Sequence, residues 1–309
     1  VDVLPRRRGP ARRASVVHLG AAGRADPGHP RRADERAGGR LILAALAAGL
    51  AFAGPAAAAQ PRVISLDQCA DQYVLALSPR TAIAGLSTRA DDADSRLRAL
   101  ARSLPLQRVD LESALLARPQ VVVRYWGGDP RLVRALQARG VRVVTLGEAS
   151  GFDDVRRNIR QVAATLDQGP AGEALIADMD RRLAHAAGAW RGTRALYLTP
   201  GGVTAGSGTL VDAVLRAAGM TNAEQRPGYQ TVSLEGLALD PPKRVVLGFF
   251  DSFQLAGDSW GAGRHEVLQR VVRERAAASL PGAMLGCPDW GAAEAAELLA
   301  ARAPVGPPR

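Results

Sequence analysis

The sequence predicts an α/β fold of two Rossmann-like lobes, each built on a parallel sheet, joined by one long helix. Three observations carry this. Short apolar runs alternate with amphipathic stretches from Val63 onward, a helical stretch without internal breakers lies mid-chain, and the alternation then restarts. With 309 residues, 47% of them hydrophobic, there is enough chain to bury two cores of ordinary size.

Residues 1–39 mix Arg, Gly and Pro without periodicity and contain no Met, so they read as an extension outside the fold. Residues 40–59 follow another plan. Arg40 precedes the apolar run Leu41 to Ala53, which breaks at Gly54-Pro55 and ends in Ala56 to Ala59. This is the charged region, apolar region and small-residue site of a secretory signal peptide, with cleavage expected after Ala59. The run falls short of the roughly 20 residues that span a bilayer. No Cys stands at the cleavage point to take a lipid, and export would place the protein in an oxidising space.

The first lobe is expected over residues 60–167, with strands in VISL, IAGLS at 83–87, VVVRY at 121–125 and VRVVTL at 141–146. Asp129-Pro130 opens one of its helices as N-cap and first-turn proline, and Gly140 closes it. Residues 168–190 form the linking helix, and 18 to 20 helical residues span roughly 30 Å, the width of a small domain. The second lobe, 191–309, restarts with ALYLT, a glycine-rich turn, the helix LVDAVLRAAG and the strand RVVLGFF.

The halves share a detailed signature. VDLESALLARPQVVV begins at Val109 and VSLEGLALDPPKRVV at Val232; Glu112 and Glu235, Pro119 and Pro242, and Val122 and Val245 each stand 123 positions apart. Two such lobes should bind a ligand between the carboxyl ends of their sheets. Asp110 and Ser233 are suited as N-caps, so each glutamate falls in a first helical turn, where the helix dipole favours it.

The net charge of +10 points away from nucleic acid once its distribution is read. Residues 1–59 hold 10 Arg against 4 acidic residues, leaving a nearly balanced remainder in which no stretch concentrates Arg between stacking aromatics.

With RVISL, ARPQVVVRYWGGDP, AAGMTN and VSLEGLAL in this order, residues 61–300 resemble the periplasmic substrate-binding proteins of ABC importers for iron-siderophores and vitamin B12. The resemblance implies a monomer in the periplasm that performs no catalysis and carries no cofactor or metal of its own. Its ligand would be a metal chelate, a corrinoid or a ferric siderophore. Its partner would be an inner-membrane permease dimer, met by Glu112 and Glu235 through arginines of the two permease subunits.

Candidate site residues follow strands. Asp67, Cys69 and Asp71 alternate in the turn after the first strand, a pattern open to metal binding, to a nucleophile or to a ligand-binding edge; the spacing fits no standard zinc site and no His is near. Tyr125 and Trp126, followed by two glycines, cannot both point into one core layer, which leaves at least one for a cleft. Thr204 lies in the glycine-rich stretch TPGGVTAGSGT, which lacks a Walker lysine. By the resemblance, Cys69, Arg89, Tyr125, Trp126, Thr204, Tyr229, Asp289 and Trp290 contact the ligand. Arg89 and Leu106 stand where cobalamin binders of that family tend to place aromatics. Cys69 and Cys287 are expected as free thiols, since a bond between two cleft loops would tie the cleft shut. A zinc- or manganese-binding protein, and an exported α/β hydrolase, are the alternatives; the first has few His to draw on, and the second lacks a G-x-S-x-G elbow.

Overall fold

The computed structural model describes residues 60–251 and 265–304. The predicted extension, signal peptide and cleavage point lie outside the described residues. The first half runs β1 (Val63–Ser65), α1 (Gln68–Leu77), β2 (Ile83–Ser87), α2 (Arg98–Ala101), β3 (Leu106–Gln107), α3 (Leu111–Leu116), β4 (Val121–Arg124), α4 (Pro130–Gln137), β5 (Arg142–Thr145) and α5 (Phe152–Thr165). The helix α6 (Gly169–Ala186) leads to β6 (Thr193–Leu198), β7 (Val203–Ala205), α7 (Leu210–Ala217), β8 (Met220–Asn222), β9 (Tyr229–Thr231), α8 (Leu234–Leu239) and β10 (Arg244–Gly248). The chain continues with α9 (Glu266–Arg275), β11 (Ala276–Leu280), α10 (Gly282–Leu285) and α11 (Gly291–Ala300).

Two parallel sheets result, ordered β3-β2-β1-β4-β5 and β11-β10-β6-β8. Their central strands are buried on both faces, as parallel strands covered by helices must be; Val121, Val122 and Val123 are fully buried, as are Val245 and Val246. The helix starts follow local chemistry. Asp129 caps α4 through the amides of Arg131 and Leu132, Pro130 occupies its first turn, and Gly140 leaves it at φ +78°. Asp110 caps α3 and Ser233 caps α8, each through the amide three residues on.

The glycine-rich stretch departs from expectation. Instead of remaining a loop, its centre forms β7, which pairs antiparallel with β9 and turns Thr204 inward. Alternation places Val203 and Ala205 on the opposite face from Thr204.

The halves meet through more than a linker. The helix α6 packs against both α5 and α11. Trp290 and Ala293, close to the start of α11, are buried in the first sheet's core, whereas Ala292, Ala295, Ala296 and Leu299 of the same segment complete the second. The segment carrying Trp290 therefore belongs to both cores.

Candidate functional site

Asp67 resolves the puzzle of the first turn. Its carboxylate accepts from the amide of Ala70 at 2.9 Å, capping α1, and from the amides of Tyr125 at 2.7 Å and Gly127 at 2.9 Å. One buried acid thus fixes both the start of α1 and the loop after β4. That loop is tight. A Cβ on Gly127 would sit 2.2 Å from the Leu66 carbonyl oxygen, and Gly128 has φ +78°. Arg124 braces it from the other side, donating to the carbonyls of Trp126, Gly127 and Gly128. The outcome is a rigid turn that holds Tyr125 half-buried and leaves Trp126 61% exposed.

A cavity of about 570 Å³ opens beside this turn, at the carboxyl edge of the first sheet. Leu66, Thr88, Arg89, Val109, Arg124 and Trp126 are among its lining residues. Arg89 is anchored at its mouth by Asp92 at 2.9 Å and Asp94 at 3.2 Å. Tyr125 donates its hydroxyl to Glu148, and burial together with that carboxylate pushes the Tyr125 phenol upward. Tyr229 of β9 stands 63% exposed and within electrostatic reach of Tyr125 and Glu148, its phenol pushed upward first by partial burial. Tyr229 of the second half thus comes within electrostatic reach of the Tyr125–Glu148 pair of the first. Glu148 was missed by the sequence reading, although its position two residues after the VRVVTL strand is the signal that singled out Tyr125.

Four expected ligand contacts lie elsewhere. Cys69 and Cys287 form a disulfide, with Cα atoms 5.2 Å apart, which overturns the expectation of two free thiols. The reason is geometric: the first turn of α1 faces the segment after α10 and not the open edge, so Cys69 and Cys287 are on the packed side of the turn. Asp289 and Trp290 are buried there as well. Trp290 packs edge-on to Tyr73, with ring centroids 5.2 Å apart, and the Arg96 guanidinium lies 4.7 Å from the Trp290 ring centre. Arg96 pairs with Glu294 at 3.0 Å and Asp289 at 3.5 Å, and Tyr73 donates to the Pro288 carbonyl at 2.6 Å. This buried group clasps the halves together. Thr204 is buried too, and lines a separate cavity of about 240 Å³ between β7 and α8.

Asp71, the remaining acid of the turn, is also internal. Ser65 donates to it, as do the Ser87 amide at 2.9 Å and hydroxyl at 2.6 Å. Burial nevertheless outweighs these donors and raises its carboxyl to about 6, with the Asp67 charge adding to the rise. The folded protein thus holds this proton more tightly than the unfolded chain. The associated stability is full below the unfolded value near 4 and is lost as pH rises through about 6, a change on the order of 3 kcal/mol. Burial pushes Asp289 and Glu294 in the same direction, against Arg96. Asp71→Asn should flatten its share of the decline. Urea midpoints at pH 4.5 and 7 would show the wild-type difference shrinking in the variant, and equal differences would refute the assignment.

The comparisons agree with this architecture. The family described as periplasmic binding protein matches residues 63–283. No protein of curated function matches the chain. Among solved structures, the periplasmic heme-binding protein BhuT in complex with two hemes shares 26% identity at a TM-score of 0.60, covering 78% of this chain and 97% of that one. The periplasmic heme-binding protein RhuT from Roseiflexus sp. RS-1 shares 21% at 0.61, over 78% and 97% of the two chains. The periplasmic vitamin B12 binding protein BtuF of Vibrio cholerae shares 19% at 0.57, over 79% and 96%. The family match covers most of the chain, and both parallel sheets lie within its span, so the chain belongs to the periplasmic binding protein family.

Proposed function

We propose that this protein captures a flat metal chelate, a heme or a corrinoid, outside the cytoplasmic membrane and delivers it to an ABC importer without catalysing a reaction. The observation that carries this reading is Trp126 exposed beside the cavity of the first sheet, next to Tyr125, which lies within electrostatic reach of the exposed Tyr229 of the second half. Trp126 and Tyr229 are exposed, against the ordinary cost of leaving large apolar surface in water. A macrocycle offers such rings a broad apolar face, and its polar substituents could meet Arg89, Thr88 and Glu148. A ferric siderophore is less well served, because Arg89 is already neutralised by two carboxylates and Arg124 is spent on three backbone carbonyls. A bare-metal carrier would need converging ligands, and among the described residues no group of three or more His, Cys, Asp or Glu is placed to hold a metal ion.

Delivery would use Glu112 and Glu235, both exposed in first helical turns, as charged contacts for basic side chains of the permease. Capture is tested by titrating hemin and cyanocobalamin while following absorbance and tryptophan fluorescence. Among the described residues Trp190 and Trp290 are buried and Trp126 is exposed, so quenching should be smaller in Trp126→Phe than in the wild type. Trp126→Ala and Tyr229→Ala should each weaken binding by about two- to tenfold. Failure of both chelates to bind, or full affinity in both variants, would remove the reading.

A further inference from the structure

The helices α3 and α8 occupy matching places in the two halves, each running back from the carboxyl edge of a sheet to the start of a central strand, β4 or β10. Each satisfies its core with one face. Leu111, Ala114 and Leu115 of α3 pack on the first sheet, and Leu234 and Leu237 of α8 pack on the second. What remains outside is unusual. Leu116 is 76% exposed and Leu239 is 87% exposed, more than any other large hydrophobic side chain among the described residues. The two stand at the same offset as the repeated glutamates, and each follows its glutamate by four positions, on the same helical face.

A concave surface accompanies each helix. Asp110, Ser113 and Ala117 line a depression of about 570 Å³ beside α3, which Glu112 and Leu116 also border. The equivalent positions Ser233, Gly236 and Asp240 line the cavity of about 240 Å³ beside α8. Charge and exposed leucine thus recur once per half, each on a helix that also borders a hollow. Neither leucine is needed for packing, and a lone surface leucine would need no explanation; two equivalent ones beside equivalent carboxylates form a pair.

We infer that Leu116 and Leu239 are the apolar anchors of a two-point docking surface for a membrane protein with two equivalent subunits. Each subunit would offer a basic side chain to Glu112 or Glu235 and an apolar pocket to the leucine one turn further on. A pseudo-symmetric pair of identical features fits a two-fold partner in a way that a single extended partner would not require. The charges steer and register the encounter, and the leucines, desolvated on contact, slow its dissociation. The inference rests on the importer reading above and adds to it the residues that hold the complex.

The experiment has two readouts. In cells of the parent organism, a photo-reactive phenylalanine analogue at position 116 or 239 should crosslink to one and the same polytopic membrane protein, and at Leu100 to none. In the same cells, Leu116→Ser and Leu239→Ser should each lower uptake of hemin or cyanocobalamin about fivefold, with the double variant approaching the deletion strain and Glu112→Arg/Glu235→Arg behaving likewise. Melting temperature and chelate affinity of the purified variants should stay at wild-type values. Normal uptake by the double leucine variant would overturn the inference, as would crosslinking only to a second copy of this chain. Should neither chelate bind while both positions still crosslink to the membrane protein, the ligand reading falls and the docking surface stands.

Discussion

Cys69→Ser is expected to lower the stability of the folded protein by about 5 kcal/mol, because the bond it removes closes a loop of 218 residues. The loss arises mainly in the unfolded state, where cross-linking two distant points excludes most extended conformations. Cys287→Ser and treatment of the wild type with reductant should give the same shift, since each removes the same constraint. The double variant should lose no more than either single one, because the second substitution removes nothing further. Melting curves with and without reductant, and a thiol count near zero on unfolding under non-reducing conditions, check this. A variant that melts with the wild type would mean that the link contributes nothing. Ligand binding should survive in the variants at a temperature where they remain folded, because neither sulfur faces the aromatic edge.

The second large effect is expected at Asp67. Asp67→Ala leaves three amides without their acceptor, two of them in the loop that carries Tyr125 and Trp126. Each buried amide left unpaired costs about 1 to 3 kcal/mol, so the two buried ones alone cost roughly 2 to 6 kcal/mol, and a weakened chelate affinity is expected with that loss. Asp67→Asn separates the two roles. Its amide oxygen can still accept, though its amino group cannot, so the cap on α1 should persist while both loop amides, which share the other oxygen, lose their acceptor. Chemical denaturation and hemin titration of both variants measure stability and site geometry independently. Asp67→Ala with wild-type affinity would show that the loop holds its shape without this acid.

Much of the fold was legible in the sequence because its strands are buried on both faces and read as uninterrupted apolar runs. VVVR and RVVLG announce themselves in this way, and DP before α4 and Gly140 after it mark that helix by local chemistry alone. Three short strands were not legible, although the edge strand β5 was. The strand β3 is two residues of Leu-Gln, and β7 and β9 exist only because they pair with each other, a contact that propensity does not announce. The site was half legible for a similar reason. Tyr125 and Trp126 could be placed at a strand end, where ligands bind, whereas Tyr229 was reached only through the resemblance. Whether Cys69, Asp289 and Trp290 faced a ligand or one another depended on how the segment after α10 docks against α1, which involves residues more than 200 positions apart. A motif's position along the chain fixes which end of a sheet it occupies, but not which side of the turn meets solvent.

The shared segment at Trp290 also has a consequence for how the chain matures. Every strand of the first sheet lies before Gln107 or within Val121–Thr145, yet that sheet's core is completed by Trp290 and Ala293. A chain threaded through a membrane from its amino end would expose a sheet with a vacant place in its packing until the far segment arrived. A fragment ending at the close of α6 would leave Tyr73 without both its ring neighbour and its hydrogen-bond acceptor.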